Sequence, residues 1–322
     1  MDGPAVSDPV TTVDSSDEPV PQPVAERPSV AESGRSSETS SGRLRRFGPP
    51  ANLSPVPRRL AKQRSATRHV PDIALDWLDT QVGRVRALSA RGHMHRYLAE
   101  VRQDSFGIGA PDGYLTLAVA DGVGSSSASH IGSAYAARAS VGHDGLVASL
   151  ADPSVDTVSL DFLSSAMQTM AAENNLQPRQ LSSTLMLAAV ADQRPSTDGF
   201  EVTLAQVGDS SAWRLRDGRW IELGAGPEDT ESPIVTAVES LPLCPIARVW
   251  REIFRPGETL ALVSDGIGNI LPANQDFADA LAELWRTDAP VPADLLSVLD
   301  ATIKSYDDDR TFVGLHFAEL PT

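Results

Sequence analysis

Residues 114–127, YLTLAVADGVGSSS, carry the reading that decides the fold. An unbroken apolar run of strand length ends on Asp121, and small residues follow where a hairpin would place its return strand. A carboxylate at the mouth of a buried strand is costly unless it is paired, hydrogen-bonded or bound to a cation. The same arrangement recurs in TLALVSDGIGN (259–269) with Asp265, and in YDDDRTFVGLHF (306–317) with Asp308. Any one of these aspartates could simply cap a loop or helix. Three of them, from distant parts of one chain, point to a shared site for a hard cation.

Outward from these segments the pattern alternates between strand and helix. SFGIGAPDGYLTLAVADG (105–122) reads as two strands joined by a Pro-Asp-Gly turn. ASHIGSAYAARASVGHDGLVASL (128–150) is Ala-rich with a helical period, and SLDFLSSAMQTMAAENNL (159–176) is a second helix ending near Asn175. The period then shortens. STLMLAAVADQ (183–193), GFEVTLAQVGDSSAWRLR (199–216) and GRWIEL (218–223) read as strands, with a hairpin turn at Asp217-Gly218. Residues 224–248 are loop-like and expected to border the site. VWREIFRPGETLALVSDG (249–266) adds two strands, and two amphipathic helices (276–288 and 291–306) precede a last strand from Arg310. Consecutive strands joined by hairpins make antiparallel sheets. Paired helices covering their outer faces predict an α+β fold, a four-layer α/β/β/α sandwich with two central antiparallel β-sheets.

Composition narrows the function. The chain has 322 residues, 41% hydrophobic, and a net charge of −16. That balance excludes a general nucleic-acid binder, which needs clustered Lys and Arg. It suits a protein that attracts cations. The only cysteine, Cys244, rules out an internal disulfide and is read as a small apolar residue. The N-terminus lacks the apolar stretch of a signal peptide, and no run approaches the roughly 20 apolar residues of a membrane span. A cytoplasmic location is expected.

Residues 1–70 read as a disordered tail, and residues 71–322 as the folded domain. The tail divides by charge. Residues 1–38 hold eight acids against Arg27 and Arg35, while from Arg43 to Arg68 every charge is basic. Such a run is either a solvated linker or a docking segment for an acidic partner.

In order along the chain, the pieces GHMH…RQDSF (92–106), VADGVGSSSASHIGSAYAA (119–137), SSTLMLAAV (182–190), VGDSSAWRLRDG (207–218), LVSDGIGN (262–269) and DDRTFV (308–313) resemble the metal-dependent protein phosphatase family, protein phosphatase 2C, in its compact bacterial branch. The family's fold is the sandwich expected above. The resemblance implies a serine/threonine phosphoprotein phosphatase that uses a water activated by two Mg²⁺ or Mn²⁺ ions. It implies that Asp121 bridges the two ions, that the Gly122 carbonyl binds the second, and that Asp265 and Asp308 complete the first. Oxygen donors of this kind are what both ions prefer. Asp104 would hold water at the site, whereas Asp209 matches a position read as structural. The implied partners are phosphorylated Ser/Thr proteins, substrates of a cytoplasmic kinase, and a monomer is expected.

The chain departs from the family in three places. Ala99 stands where many relatives carry a phosphate-gripping arginine, so Arg96 or Arg102 is the candidate to replace it. Gln103 replaces an acid, and Arg179 occupies the place of an acid that often binds a third metal. His95 is a candidate general acid for the leaving alkoxide. Two rival functions stay open: a pseudophosphatase that binds phosphoproteins without cleaving them, and an unrelated divalent-cation hydrolase of small phosphate esters.

Overall fold

The structure is a computed structural model that describes residues 46–47, 70–123, 128–193, 199–224 and 239–318. The strands are β1 (Arg46–Phe47), β2 (Ile73–Asp79), β3 (Gly83–Ala90), β4 (Ser105–Gly109), β5 (Tyr114–Ala120), β6 (Thr157–Ser159) and β7 (Leu185–Ala191). They continue with β8 (Phe200–Val207), β9 (Ser211–Arg216), β10 (Arg219–Leu223), β11 (Ile246–Phe254), β12 (Thr259–Val263), β13 (Thr302–Ile303) and β14 (Arg310–Phe317). The helices are α1 (His93–Leu98), α2 (Ser129–Val141), α3 (Asp144–Leu150), α4 (Asp161–Glu173), α5 (Asp265–Gly268), α6 (Gln275–Leu284) and α7 (Pro292–Leu299).

Two six-stranded antiparallel sheets form the centre, in the orders β10-β9-β12-β14-β3-β2 and β4-β5-β7-β8-β11-β6. Their strands are apolar on both faces because both faces are covered. In β5, Leu115, Leu117 and Val119 meet Met186, Leu204, Leu262, Val313 and Leu315 between the sheets. The alternate residues Ala118 and Ala120 pack outward in the layer that contains Leu163 and Met167 of α4. On the opposite outer face, Phe277, Leu281 and Trp285 cover Leu88, Ala261 and Phe312. Three apolar layers between four layers of secondary structure account for the expected sandwich.

Local signals match their elements. Asp217 and Gly218 turn β9 into β10 with φ of 51° and 74°, the left-handed pair that a two-residue hairpin needs. Asn175, φ 54°, follows the end of α4. The helical stretch 128–150 resolves into two helices. The break falls at Gly142-His143, where His143 Nδ1 accepts the Leu146 N–H at 3.0 Å and caps α3. The opening segment 73–90 is the β2–β3 pair.

Most of the expected loop, residues 225–238, lies outside the described residues, as does most of the tail. Within the tail, Arg46 and Phe47 pair in parallel with Thr302 and Ile303. Among the described residues no helix is long and apolar enough to cross a membrane.

Candidate metal centre

The acids that matter arrive from four separate segments at one end of the two sheets. Asp121 directly follows β5, Asp265 opens α5 after β12, Asp308 precedes β14, and Asp104 precedes β4. The backbone of Asp121 is clamped by Thr184, whose Oγ1 accepts the Asp121 N–H and whose N–H donates to the Asp121 carbonyl, both at 2.9 Å. Thr184 Oγ1 is itself 2.7 Å from Ser210 Oγ. The Ser-Thr and Gly-Asp-Ser-Ser motifs therefore support the Asp121 strand end. Gly122 bridges to Ser183 in the same way.

Two glycines bring Asp265 and Asp308 together. A Cβ on Gly266 would lie 1.9 Å from the Asp309 carbonyl oxygen, and one on Gly92 would lie 2.2 Å from the Asp308 carbonyl carbon. The backbone of residues 307–309 is thus held between the β12–α5 turn and the start of α1. Met94 N–H donates to the Asp307 carbonyl at 2.9 Å on the same side.

The carboxyl groups interact directly. Asp121 lies within hydrogen-bonding reach of both Asp104 and Asp265, and Asp104 also accepts from Ser264 and from Thr311 Oγ1, the latter at 2.8 Å. Burial, then the charge of Asp309, pushes Asp104 up to about 7. Burial and the charges of Asp308 and Asp209 push Asp265 up to about 6. Burial and the charges of Asp104, Asp265 and Asp308 hold Asp121 well above the usual carboxylate range. Two like charges 4 Å apart repel by about 4 kcal/mol at an effective dielectric of 20. A hydrogen bond returns only about 1 kcal/mol net. Repulsion wins, so the fully ionised cluster requires a cation. Carboxylate oxygens with a backbone carbonyl nearby are the donor set of Mg²⁺ or Mn²⁺, and the residues present fit those ions.

The acids open on a cleft of about 610 Å³ lined by Met94, His95, Asp265, Asn269, Tyr306 and Asp308. A groove of similar size, about 630 Å³, runs along α2 past Ile131, Tyr135 and Met170. It contains none of the clustered acids, so the chemistry belongs to the former. His95 reaches the cleft from α1, with Nδ1 2.9 Å from Asp309 Oδ1. Burial opposes its charge, but the contact with Asp309 and the charge of Asp308 outweigh it and raise the imidazole to about 8.

The two arginines do not behave as expected. Arg102 is buried: its Nη1 donates to Ser89 Oγ and the Asp104 carbonyl, and its Nε to the Pro71 carbonyl. It braces β3 against the Asp104 segment and is no phosphate grip. Arg96 Nη1 pairs with Asp300 Oδ1 at 2.7 Å. Neither guanidinium lines the cleft.

Two residues escaped the sequence reading. Asp209, set aside as structural, adds its charge to Asp265 and is itself raised by burial and by Asp308. Its strand-mouth position after β8 is the same signal that marked Asp121. Asp309, hidden in a run of three acids, is 2% exposed and accepts the Gly92 and Gln103 backbone N–H groups.

A family model described as Protein phosphatase 2C matches residues 91–300. A search of curated protein sequences gives no match. Among solved structures, the chain is similar to a serine/threonine phosphatase of S. agalactiae, at 15% identity over 77% of this chain and 100% of the other, with a TM-score of 0.50. It is similar to a bacterial serine phosphatase at 14% identity, covering 74% and 98% of the two chains, with a TM-score of 0.51. The Mycobacterium tuberculosis serine/threonine phosphatase PstP/Ppp matches at 20% identity over 74% and 100%, with a TM-score of 0.46.

Proposed function

The chain belongs to the protein phosphatase 2C family, and from that premise we propose that it is a metal-dependent phosphatase of phosphoserine and phosphothreonine in proteins. One observation carries the reading: Asp104, Asp265 and Asp308 converge on Asp121, whose carboxyl is held well above the usual carboxylate range by burial and by their charges. Asp121, the Gly122 carbonyl, Asp265 and Asp308 would hold two Mg²⁺ or Mn²⁺ ions. Bound there, the ions supply Lewis acidity toward water and charge neutralisation for the phosphoryl group.

The chain's own residues do the rest. Asp104, anchored by Thr311 and Ser264, orients water on the Asp121 side. His95 lines the cleft beside Asp308 and is the proton donor for the departing alkoxide. As the water oxygen bonds to phosphorus and the P–O bond to serine or threonine breaks, the ring gives its proton to the alkoxide. The proton shed by the attacking water restores the ring. The substrates are cytoplasmic phosphoproteins, the products of a Ser/Thr kinase.

A second reading, a pseudophosphatase that binds phosphoproteins, is favoured by the arginine geometry. Ala99 offers no guanidinium, Arg102 is buried, and Arg96 is paired with Asp300. Release of phosphate from a phosphothreonine peptide in Mn²⁺ decides between them. The enzyme reading expects turnover by the wild type that Asp265→Asn abolishes. Equal release by both proteins overturns the assigned site, and no release by the wild type leaves the binding module.

A further inference from the structure

The carboxylate of Asp309 is fixed by two backbone amides, yet it is assigned no ligand role. Its Oδ1 accepts the Gly92 N–H at 2.6 Å, and its Oδ2 accepts the Gln103 N–H at 2.5 Å. These amides come from the start of α1 and from the segment before β4, so the group cannot swing without breaking two backbone bonds. Among the described residues its further contact is an ion pair with His95, whose Nδ1 lies 2.9 Å from Oδ1. A ring nitrogen of His95 and oxygens of Asp308 and Asp309 all lie within 4.8 Å of one another.

We infer that Asp309 is a positioning residue, which holds the His95 ring by Nδ1 so that Nε2 is the nitrogen offered to the substrate. The inference rests on the phosphatase reading above. An imidazole can place its proton on either nitrogen, and the partner of one nitrogen selects the tautomer at the other. With Nδ1 turned to a buried carboxylate, Nε2 is left with weak neighbours: Gln103 Nε2 at 3.4 Å and Glu100 Oε2 at 4.0 Å. Gln103 is anchored in turn, its Oε1 accepting from Ser129 Oγ at 2.6 Å and its carbonyl accepting from Ser133 Oγ. α2 therefore backs the wall behind the ring. An oriented donor of this kind matters most where the leaving group is poor. Threonine leaves as a strongly basic alkoxide, whereas an aryl phosphate releases a stable phenolate.

That difference supplies the test. Proton transfer from a positioned side chain contributes typically ~10²–10⁴-fold. Asp309→Asn in the full chain with Mn²⁺ is expected to lower the ratio of kcat on a phosphothreonine peptide to kcat on p-nitrophenyl phosphate by about 100-fold, with KM for the peptide little changed. In a His95→Gln background the same substitution is expected to change that ratio no further, as a shared path requires. Equal losses on both esters, or losses that multiply in the double variant, overturn the inference and make Asp309 a scaffold for residues 307–309 only. Absence of turnover by the wild type on either ester defeats the phosphatase reading instead. The orientation then stands or falls on the ¹⁵N spectrum of the His95 ring in its neutral form, recorded above pH 8. One fixed tautomer, released by Asp309→Asn, supports it, and a wild-type ring already exchanging between tautomers overturns it.

Discussion

Thr311 Oγ1 donates to Asp104 Oδ2 at 2.8 Å, a buried bond between the last strand of one sheet and the acid that precedes the first strand of the other. Ser89 Oγ lies 2.6 Å from the same hydroxyl and also accepts from Arg102. One end of the sandwich is therefore closed by a polar chain that includes the buried Asp104. Thr311→Val keeps the shape and removes the donor. A buried group left without its partner costs about 1–3 kcal/mol, and the variant is expected to lose that much in urea unfolding. The loss should be larger at pH 8 than at pH 5, because the bond favours the charged form of Asp104. Equal losses at the two values would contradict the role given to the hydroxyl.

The acid cluster predicts how the metal-free protein responds to pH. Asp104 at about 7 and Asp265 at about 6 lie above the ordinary carboxylate value in the unfolded chain, about 4. Between those values the folded state binds more protons than the unfolded state, so stability is greatest at low pH and falls as pH rises toward 7. In EDTA, the urea midpoint is expected to drop between pH 5 and pH 8. Mn²⁺ should restore most of the loss at pH 8, since the ion replaces the missing protons. A midpoint in EDTA that holds or climbs over this range would mean the carboxylates do not share a site.

How much of this was readable beforehand depended on whether a residue's task left a local trace. The two-faced strands β5, β12 and β14 announce themselves as continuous apolar runs, and the acids at their mouths follow from them. Asp209 sits in the same kind of place but in a Gly-Asp-Ser-Ser context that reads as a turn, and only the effect of its charge on Asp265 reveals it. Arg102 failed for the opposite reason. An arginine beside an acidic motif looks exposed in one dimension, and burial by Pro71 and Ser89 is a tertiary fact. The break between α2 and α3 left a trace, Gly142-His143, but the helical period of small residues ran across it.

Asp209 separates stability from metal binding. Its charge disfavours ionised Asp265 in the absence of metal and adds to the attraction for cations when they bind. Asp209→Asn is thus expected to raise the urea midpoint in EDTA at pH 8 while weakening Mn²⁺ binding about 3- to 10-fold, the equivalent of roughly 1 kcal/mol. Calorimetric titration with Mn²⁺ reads the second effect. A variant that loses stability and affinity together would show that Asp209 is a structural turn residue.

The closest approach at the site gives the most demanding prediction. Gly266 follows Asp265 immediately, and a Cβ there would stand 1.9 Å from the carbonyl oxygen of Asp309. The obstacle is backbone, and that backbone is pinned through the Asp309 carboxylate to the Gly92 and Gln103 amides. Nothing can yield locally, so Gly266→Ala must push the β12–α5 turn away from residues 307–309 and separate Asp265 from Asp308. Forced overpacking of this kind costs about 1–3 kcal/mol. The displacement should weaken Mn²⁺ binding by at least about tenfold, equivalent to roughly 1.4 kcal/mol. Gly142→Ala is the matched control: its nearest atom is 4.0 Å away and its φ is −106°, so neither property should change. If Gly266→Ala binds Mn²⁺ as tightly as the control, Asp265 and Asp308 do not depend on this contact for their spacing, and the shared-ion geometry built on it fails.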